Sequence, residues 1–449
     1  MLVGNQVKNP FAGEPQPRSK DTPYPRLLLF DLSVGGHHPS YLLYLIQHWC
    51  EQGLAGQLDI VVTPTFLQRH SDVVVAAQAY GVDTVRFIAI TPEETAQLSD
   101  FSSALSRATR AFKEWRLFCQ YARQYQANHG LLMYFDTAQV PFIFGPPSPC
   151  QVSGIYFRPT LHYHRFQGFQ PGLKGRIQAL RERFNLSRVL RHAKLDHLFC
   201  LDPFISDYLK ENWQVDKAVT LADPVKVDDL PEAEVNRLKQ SLGVLSGRQV
   251  FLMFGALTRR KGIDQVLDAL SRLSPLQSQQ ICLLMAGSLG ADAADNARLK
   301  SRLATLNATS LAQVILVDRF ITDDKVQAYF GVADIVLATY QQHVGMSGIL
   351  NRAALAGKPV ICSDYGLMGE LTRRFQLGLA IDASDPESIA QAMVHCLDQP
   401  PTSLADPEQM QAFGEHSSAE KFAQVIFNAL LGPGATVPAA VTDPIESSV

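Results

Sequence analysis

Residues 249–273 read QVFLMFGALTRRKGIDQVLDALSRL. The run 249–257 is apolar and reaches Gly255, the pattern of a parallel strand buried on both faces. Thr258-Arg259-Arg260-Lys261-Gly262 follows, and 263–273 then has helical spacing. Strand, glycine turn and helix make the repeating unit of a doubly wound α/β domain. The turn also carries chemistry. Amides and dipole at a helix start favour an anion, and Lys or Arg completes the charge of a phosphate. A solvated basic turn reads the same in isolation, but the carboxyl end of a domain's first strand is where ligands usually bind.

Working outward, ICLLMAG (281–287), VILVDRF (314–320), ADIVLAT (333–339) and KPVICSD (358–364) are further short strands with helical segments between them. Upstream, RLLLFDL (26–32), LDIVVTPT (58–65), TVRFIAI (84–90), LLMYFDT (131–137), VSGIYFRP (152–159), LDHLFCLD (195–202) and AVTLADPV (218–225) repeat the pattern. Helical spacing is expected over 39–49, 92–128, 173–193, 203–213 and 417–431, with 401–415 irregular. The chain therefore predicts two doubly wound, Rossmann-like α/β domains facing a central cleft. The expected divisions are a flexible arm over 1–25, a first domain over 26–222, a second over 223–405, a C-terminal segment over 406–431 and a mobile tail over 432–449.

Composition narrows the classes. Of 449 residues, 46% are hydrophobic and 18% charged, as in a soluble globular protein, which excludes collagen, coiled coil and a wholly disordered chain. Forty basic against 43 acidic residues leave −3, so no global excess points to nucleic acid. The seven cysteines are scattered singly with no C-x-x-C pair, which predicts no disulfide framework and no zinc site. The first 25 residues lack the apolar core of a signal peptide, and no run of 18 apolar residues occurs. A cytoplasmic protein is the expectation.

Further candidates lie at strand ends. Tyr340-Gln-Gln-His-Val-Gly-Met-Ser-Gly348 runs into a helix, and Gly345 and Gly348 allow close backbone approach to phosphate or sugar hydroxyls. Gly35-Gly36-His37-His38 ends the first strand. Adjacent histidines point in different directions, which argues against a metal chelate and leaves an acid, base or polar contact. Asp136, Arg158, His162 and His164 follow neighbouring strands and are candidates for acceptor or sugar binding, although Asp136 could equally cap the next helix. The stretch 173–194 holds seven cations against one anion, Glu182, beside an apolar stripe of Leu173, Ile177, Leu180, Phe184, Val189 and Leu190. Such a stretch suits an anionic membrane surface or an acidic substrate, or is the solvated face of a helix packed on the core. The sequence lacks a P-loop, a G-x-S-x-G elbow, an H-E-x-x-H pair and a G-x-G-x-x-G fingerprint.

Several segments, in order, resemble the retaining "group 1" glycosyltransferases of the GT-B fold. FGALTRRKGIDQVLDAL is similar to that family's G-R-L-x-x-x-K-G segment and helix. RAALAGKPVICSDYGLMGEL resembles its E-A-M-A-x-G-x-P-V-I stretch with the G-G-x-x-E that follows, and LGLAIDASDPESIAQAM its closing segment. The resemblance implies that Lys261 meets a donor diphosphate and that Gly345, Met346 and Ser347 hold sugar and phosphate. It further places Glu370 near the nucleotide, Gly35 and Gly36 beside the transferred sugar, and the last helix back on the first domain. Two departures stand out. The arginine of G-R-L is Ala256, so Arg259 or Arg260 has to supply the second cation. The glutamates of the E-x7-E motif fall at Val344 and Arg352, with His343 as one substitute.

The expected activity is transfer of a hexose-type sugar from a nucleoside diphosphate sugar, with anomeric retention and no metal or other cofactor. Lys261 and Arg260 would stabilise the departing diphosphate, and His37 or His38 would polarise the acceptor or touch the sugar. The acceptor could be a glycan, a lipid-linked or a small molecule, with peripheral membrane contact through 173–194. A non-catalytic binding protein and a sugar-nucleotide epimerase are the alternatives.

Overall fold

The computed structural model describes residues 25–98, 103–166, 169, 172–225, 231–290 and 292–432. The arm before Pro25 and the tail after Gly432 lie outside the described residues. The chain divides into two compact units, one made of 1–157, 183–221 and 419–449, the other of 158–182 and 222–418.

The first unit holds β1 (Arg26–Phe30), β2 (Gln57–Val62), β3 (Val85–Ala89), β4 (His129–Leu132), β5 (Gln151–Tyr156), β6 (Leu195–Cys200) and β7 (Ala218–Thr220). They form one sheet in the order β3-β2-β1-β4-β5-β6-β7, with every pairing parallel. Leu27 to Phe30 are all buried, the cause of the continuous apolar reading of this segment. Helix His38–Glu51 covers one face through Leu42, Leu45 and Trp49, and helix Ala419–Leu431 returns against it. Phe422 meets Tyr41 at 4.8 Å and Phe427 meets Trp49 at 5.4 Å. Each such buried aromatic contributes about 1.5–3 kcal/mol.

The second unit holds β8 (Gln249–Phe254), β9 (Ile281–Ala286), β10 (Gln313–Val317), β11 (Ile335–Ala338), β12 (Val360–Ser363) and β13 (Gly378–Ile381). Their order is β10-β9-β8-β11-β12-β13, again all parallel. Phe251, Met253, Leu283 and Met285 pack with Val266, Leu267 and Leu270 of helix Ile263–Leu270 and Ile389 and Met393 of helix Pro386–Asp398. In each sheet the first strand lies between its two earliest neighbours in the winding, and the order reverses there. The turns after β1 and β8 therefore leave each sheet at its own switch point, where α/β sheets bind ligands.

Several expectations need correction. The stretch 92–128 is two helices, Pro92–Gln97 and Ala104–Gln124, because Thr91 with Glu94 and Ser103 with Ser106 each close a capping box. β13 is a strand that the alternation pattern did not reveal; all four of its residues are half-buried, as on a sheet edge. Residues 401–415 are not irregular. Pro401–Leu404 and Pro407–His416 are helical, the second capped by Asp406. The basic helix ends at Leu190, and its apolar residues do not form one stripe. Leu186, Val189 and Leu190 are buried, whereas Leu173, Ile177, Leu180 and Phe184 are exposed. Among the described residues no helix is long and apolar enough to cross a membrane.

Candidate functional site

After β8 the chain makes a single 3-10 turn, Arg259–Lys261, that stops at Gly262 with φ of +75°. A Cβ there would lie 2.3 Å from the carbonyl oxygen of Thr339, so glycine alone lets this turn close on the chain leaving β11. Thr339 Oγ1 donates to Lys261 O at 2.9 Å and Gln341 N donates to Arg260 O at 2.7 Å. Gln341 Nε2 then donates to Thr339 O (3.0 Å) and Ala383 O (2.8 Å), which fixes the segment from behind.

Lys261 is only 7% exposed. Its ammonium donates to the Phe254 carbonyl and, at 2.7 Å, to the Tyr340 hydroxyl. The Tyr340 hydroxyl in turn sits 3.1 Å from Ser347 Oγ. Every one of these partners is neutral. A buried ammonium normally has a counter-charge, and neither of its two hydrogen-bond partners carries one. Ser347 precedes helix Gly348–Leu355 without capping it, because its hydroxyl is turned to Tyr340.

Arg260 stands over the same tyrosine, its guanidinium carbon 5.2 Å from the ring centroid. It donates to His343 Nδ1 at 3.2 Å, and His343 Nε2–H donates to Met346 O at 3.0 Å. Burial first, and then the charges of Arg260, Arg158 and Lys261, hold His343 below its ordinary pKa, so it is neutral at pH 7. The exposed Arg158 lies beside Gly345, whose added Cβ would meet its Cγ at 3.8 Å. Lys261, Arg260, Arg158, Gly345, Met346 and Ser347 are thus brought together. Tyr340, at the hub, is not marked as a site residue by the sequence pattern. The only signal for it was an aromatic at the start of the quoted loop.

Other expected members stand elsewhere. Arg259 is turned outward, 64% exposed, and pairs with Asp295. Glu370 is held by its own helix, by Arg374 at 2.7 Å and Arg373 at 3.6 Å. His343 cannot replace a motif glutamate by accepting sugar hydroxyls, since both ring nitrogens are engaged. Arg352 points to Asp323 at 3.8 Å, and the Val344 carbonyl accepts from Leu367 N at 3.1 Å. Leu367 lies in helix Gly366–Arg374. Gly366 has φ of +68°, and a Cβ there would come within 2.9 Å of that same carbonyl.

In the first unit the Gly35-Gly36 turn is exposed and opens helix His38–Glu51. His38 Nδ1–H donates to the buried Asp31 carboxylate at 2.7 Å. The two histidine rings do not diverge; they stack, with centroids 4.6 Å apart, and His37 also stacks on Phe157 at 4.7 Å. Burial, then the neighbouring His38, pushes His37 down to about 3, so it stays neutral. Its Nε2 is buried with no hydrogen-bond partner among the described residues. Asp136 accepts from Phe157 N at 2.9 Å and so braces this stack. Beside it is a small cavity of about 60 Å³ lined by Asp31, Ser33, Glu114, Trp115, Tyr134 and Thr137. In the sequence Asp31 marks only the end of a strand. His162 is buried edge-on against Tyr163 and Phe166, a packing role, whereas His164 is exposed.

One sheet thus carries a cation-lined turn at its switch point and the other a histidine–carboxylate turn. Residues 248–399 match the family model for glycosyl transferases group 1. That match lies within the second unit. The Bacillus subtilis (strain 168) protein named "Putative glycosyltransferase YtcC" is 25% identical over 150 residues, 33% of this chain and 36% of that protein's length. The chain thus spans little more than a third of that relative. Among solved structures, a glycosyltransferase from Rickettsia africae ESF-5 aligns with a TM-score of 0.62 and 14% identity, over 91% of this chain and 100% of that one. Anabaena Alr3699/HepE in complex with UDP and glucose gives 0.62 and 14%, over 91% and 99%. At this identity the likeness shows the fold, two Rossmann-like parallel-sheet domains of the GT-B type.

Proposed function

We propose that the chain is a glycosyltransferase that moves a hexose-type sugar from a nucleoside diphosphate donor to an acceptor hydroxyl with anomeric retention. The observation that carries this reading is the buried Lys261 ammonium with only neutral partners, facing Ser347 at an uncapped helix start. The group 1 match over 248–399 and the UDP and glucose bound by the Anabaena neighbour support a sugar-nucleotide donor.

In the reaction, the bond from the anomeric carbon to the diphosphate oxygen breaks and one to the acceptor oxygen forms. Negative charge gathers on the leaving diphosphate, where Lys261, Arg260 and the amides of 345–348 stabilise it without a divalent ion. Arg158 adds to the positive field beside Gly345. The hydroxyl's proton leaves on the departing diphosphate; in the first unit, taken by itself, His38 donates Nδ1–H to Asp31 and keeps Nε2 as an acceptor for a hydroxyl. Neutral His37 and the exposed Gly35-Gly36 amides border that position.

The test is nucleotide release from a panel of UDP, GDP and ADP sugars with a crude acceptor extract. Release that requires one donor and falls at least 100-fold in Lys261→Ala supports the assignment. Val344 and Arg352 at the motif positions favour a second reading, a binding protein without turnover. Folded protein that binds a nucleotide yet releases none from any donor would establish that reading instead.

A further inference from the structure

Helix Leu173–Leu190 carries apolar side chains on two faces. Leu186, Val189 and Leu190 are 0–2% exposed. On the other side Leu173, Ile177, Leu180 and Phe184 are 78%, 61%, 69% and 50% exposed. At 3.6 residues per turn these four fall within an arc of about 60° and run for roughly 17 Å. Scattered exposed apolar residues are ordinary, but a contiguous stripe marks an interaction surface.

Charge says what covers it. By the same helical spacing Arg176 and Arg183 flank the stripe on one side, and Arg181 and Arg188 on the other. All four are exposed. Glu182, the helix's sole acidic residue, is turned away and 9% exposed, accepting Thr160 N at 2.8 Å and the Thr160 hydroxyl. The outward face therefore has an apolar centre and two cationic edges, with no anion. Pairing this face with a second copy would set arginine against arginine.

We propose that this helix docks on an anionic lipid surface. It lies in the interface plane, with the four apolar side chains among the acyl chains and the guanidinium groups at the level of the phosphates. The inference is independent of the transferase reading, since it concerns binding alone.

Co-sedimentation of the full chain tests it, using vesicles of phosphatidylcholine alone or with about 30 mol% phosphatidylglycerol. Binding should be at least tenfold tighter to the anionic vesicles and weaken in about 0.5 M salt. Removing three cations by Arg176→Gln, Arg181→Gln and Arg183→Gln should weaken it on the order of 100-fold, while Lys at those positions should retain it. Leu173→Ser, Ile177→Ser, Leu180→Ser and Phe184→Ser together should cost at least tenfold with an unchanged circular dichroism spectrum. Equal binding to both vesicles, or none, overturns the proposal. So does a wild-type dimer in light scattering that these four substitutions convert to a monomer without any vesicle binding.

Discussion

Lys261→Met keeps the side chain's length and removes its charge, and stability and ligand affinity should then move separately. Desolvating an ammonium costs several kcal/mol even after relaxation. In the free protein Lys261 recovers two hydrogen bonds, to the Phe254 carbonyl and the Tyr340 hydroxyl. At about 1.5–3 kcal/mol each for a charged donor, these nearly cancel the desolvation cost. Tyr340 keeps Ser347, and Phe254 is a half-buried residue at the end of its strand. The unfolding free energy should therefore change by no more than ~1 kcal/mol. A phosphate oxygen loses its charged donor outright, which is worth about 1.5–3 kcal/mol, or roughly 10- to 150-fold in Kd. Denaturant unfolding gives the first quantity. Titration calorimetry with whichever of UDP, GDP and ADP the wild type binds best gives the second. Destabilisation beyond ~3 kcal/mol with unchanged affinity would make Lys261 a strut for Tyr340 and refute the phosphate assignment.

Three further outcomes follow from the geometry. His129 hydrogen-bonds Ser153 Oγ at 2.9 Å, and burial, with His197 adding to it against Asp196, lowers its pKa from 6.5 to about 4. The unfolded chain thus takes up a proton that the native state refuses, so stability is complete above pH 6.5 and falls as the pH drops toward 4. His129→Gln should reduce the stability lost between pH 7 and pH 5 by about 2 kcal/mol; an unchanged loss in urea titrations would contradict this. Gly262→Ala, with φ of +75° and a Cβ 2.3 Å from Thr339 O, should cost at least ~2 kcal/mol and loosen the basic turn. A thermal midpoint equal to wild type would show that the turn can shift freely. Arg260→Gln should raise the His343 pKa, because one of the cations that lower it is gone, while burial keeps it below 6.5. Its ring proton shifts in NMR titrations measure this, and an unmoved midpoint would place Arg260 elsewhere in solution.

The alternation of apolar runs with helical spacing made the two sheets legible, because strands buried on both faces write a continuous signal. β13 escaped because Gly378–Ile381 is a short, half-buried edge strand and writes none. The cation turn was legible because glycine at 262 and three consecutive cations are local facts. Which cation turns inward is not local. It depends on Asp295 drawing Arg259 out and on Tyr340, some eighty residues away, holding the Lys261 ammonium in while the exposed Arg260 lies over its ring. The same holds for Asp31, whose role appears only once His38 folds back onto it. The two faces of the basic helix are legible in its spacing alone, since positions 186 and 189 lie across the helix from 173, 177, 180 and 184.

The loop at 343–348 also bears on where donor affinity comes from. Sugar hydroxyls are donors and need acceptors, which carboxylates supply best. Val344 offers no acceptor in its side chain, and its carbonyl is already taken by Leu367 N. Arg352 is a donor only and is directed at Asp323. Both nitrogens of His343 are engaged by Arg260 and Met346, and Glu370 is neutralised by Arg373 and Arg374. At the start of the loop the charges left, Lys261, Arg260 and Arg158, are positive, and the Asp223 carboxylate stands at its far end, 3.4 Å from a Cβ placed on Gly348. The second unit should therefore recognise the diphosphate strongly and the sugar weakly, so a nucleoside diphosphate and its sugar conjugate should bind within about threefold of each other, a difference near 0.7 kcal/mol. Calorimetry with UDP and a slowly hydrolysed UDP-sugar analogue decides this. A conjugate that binds more than tenfold tighter would mean that another group accepts the sugar hydroxyls, and that the loss of the two carboxylates has been compensated.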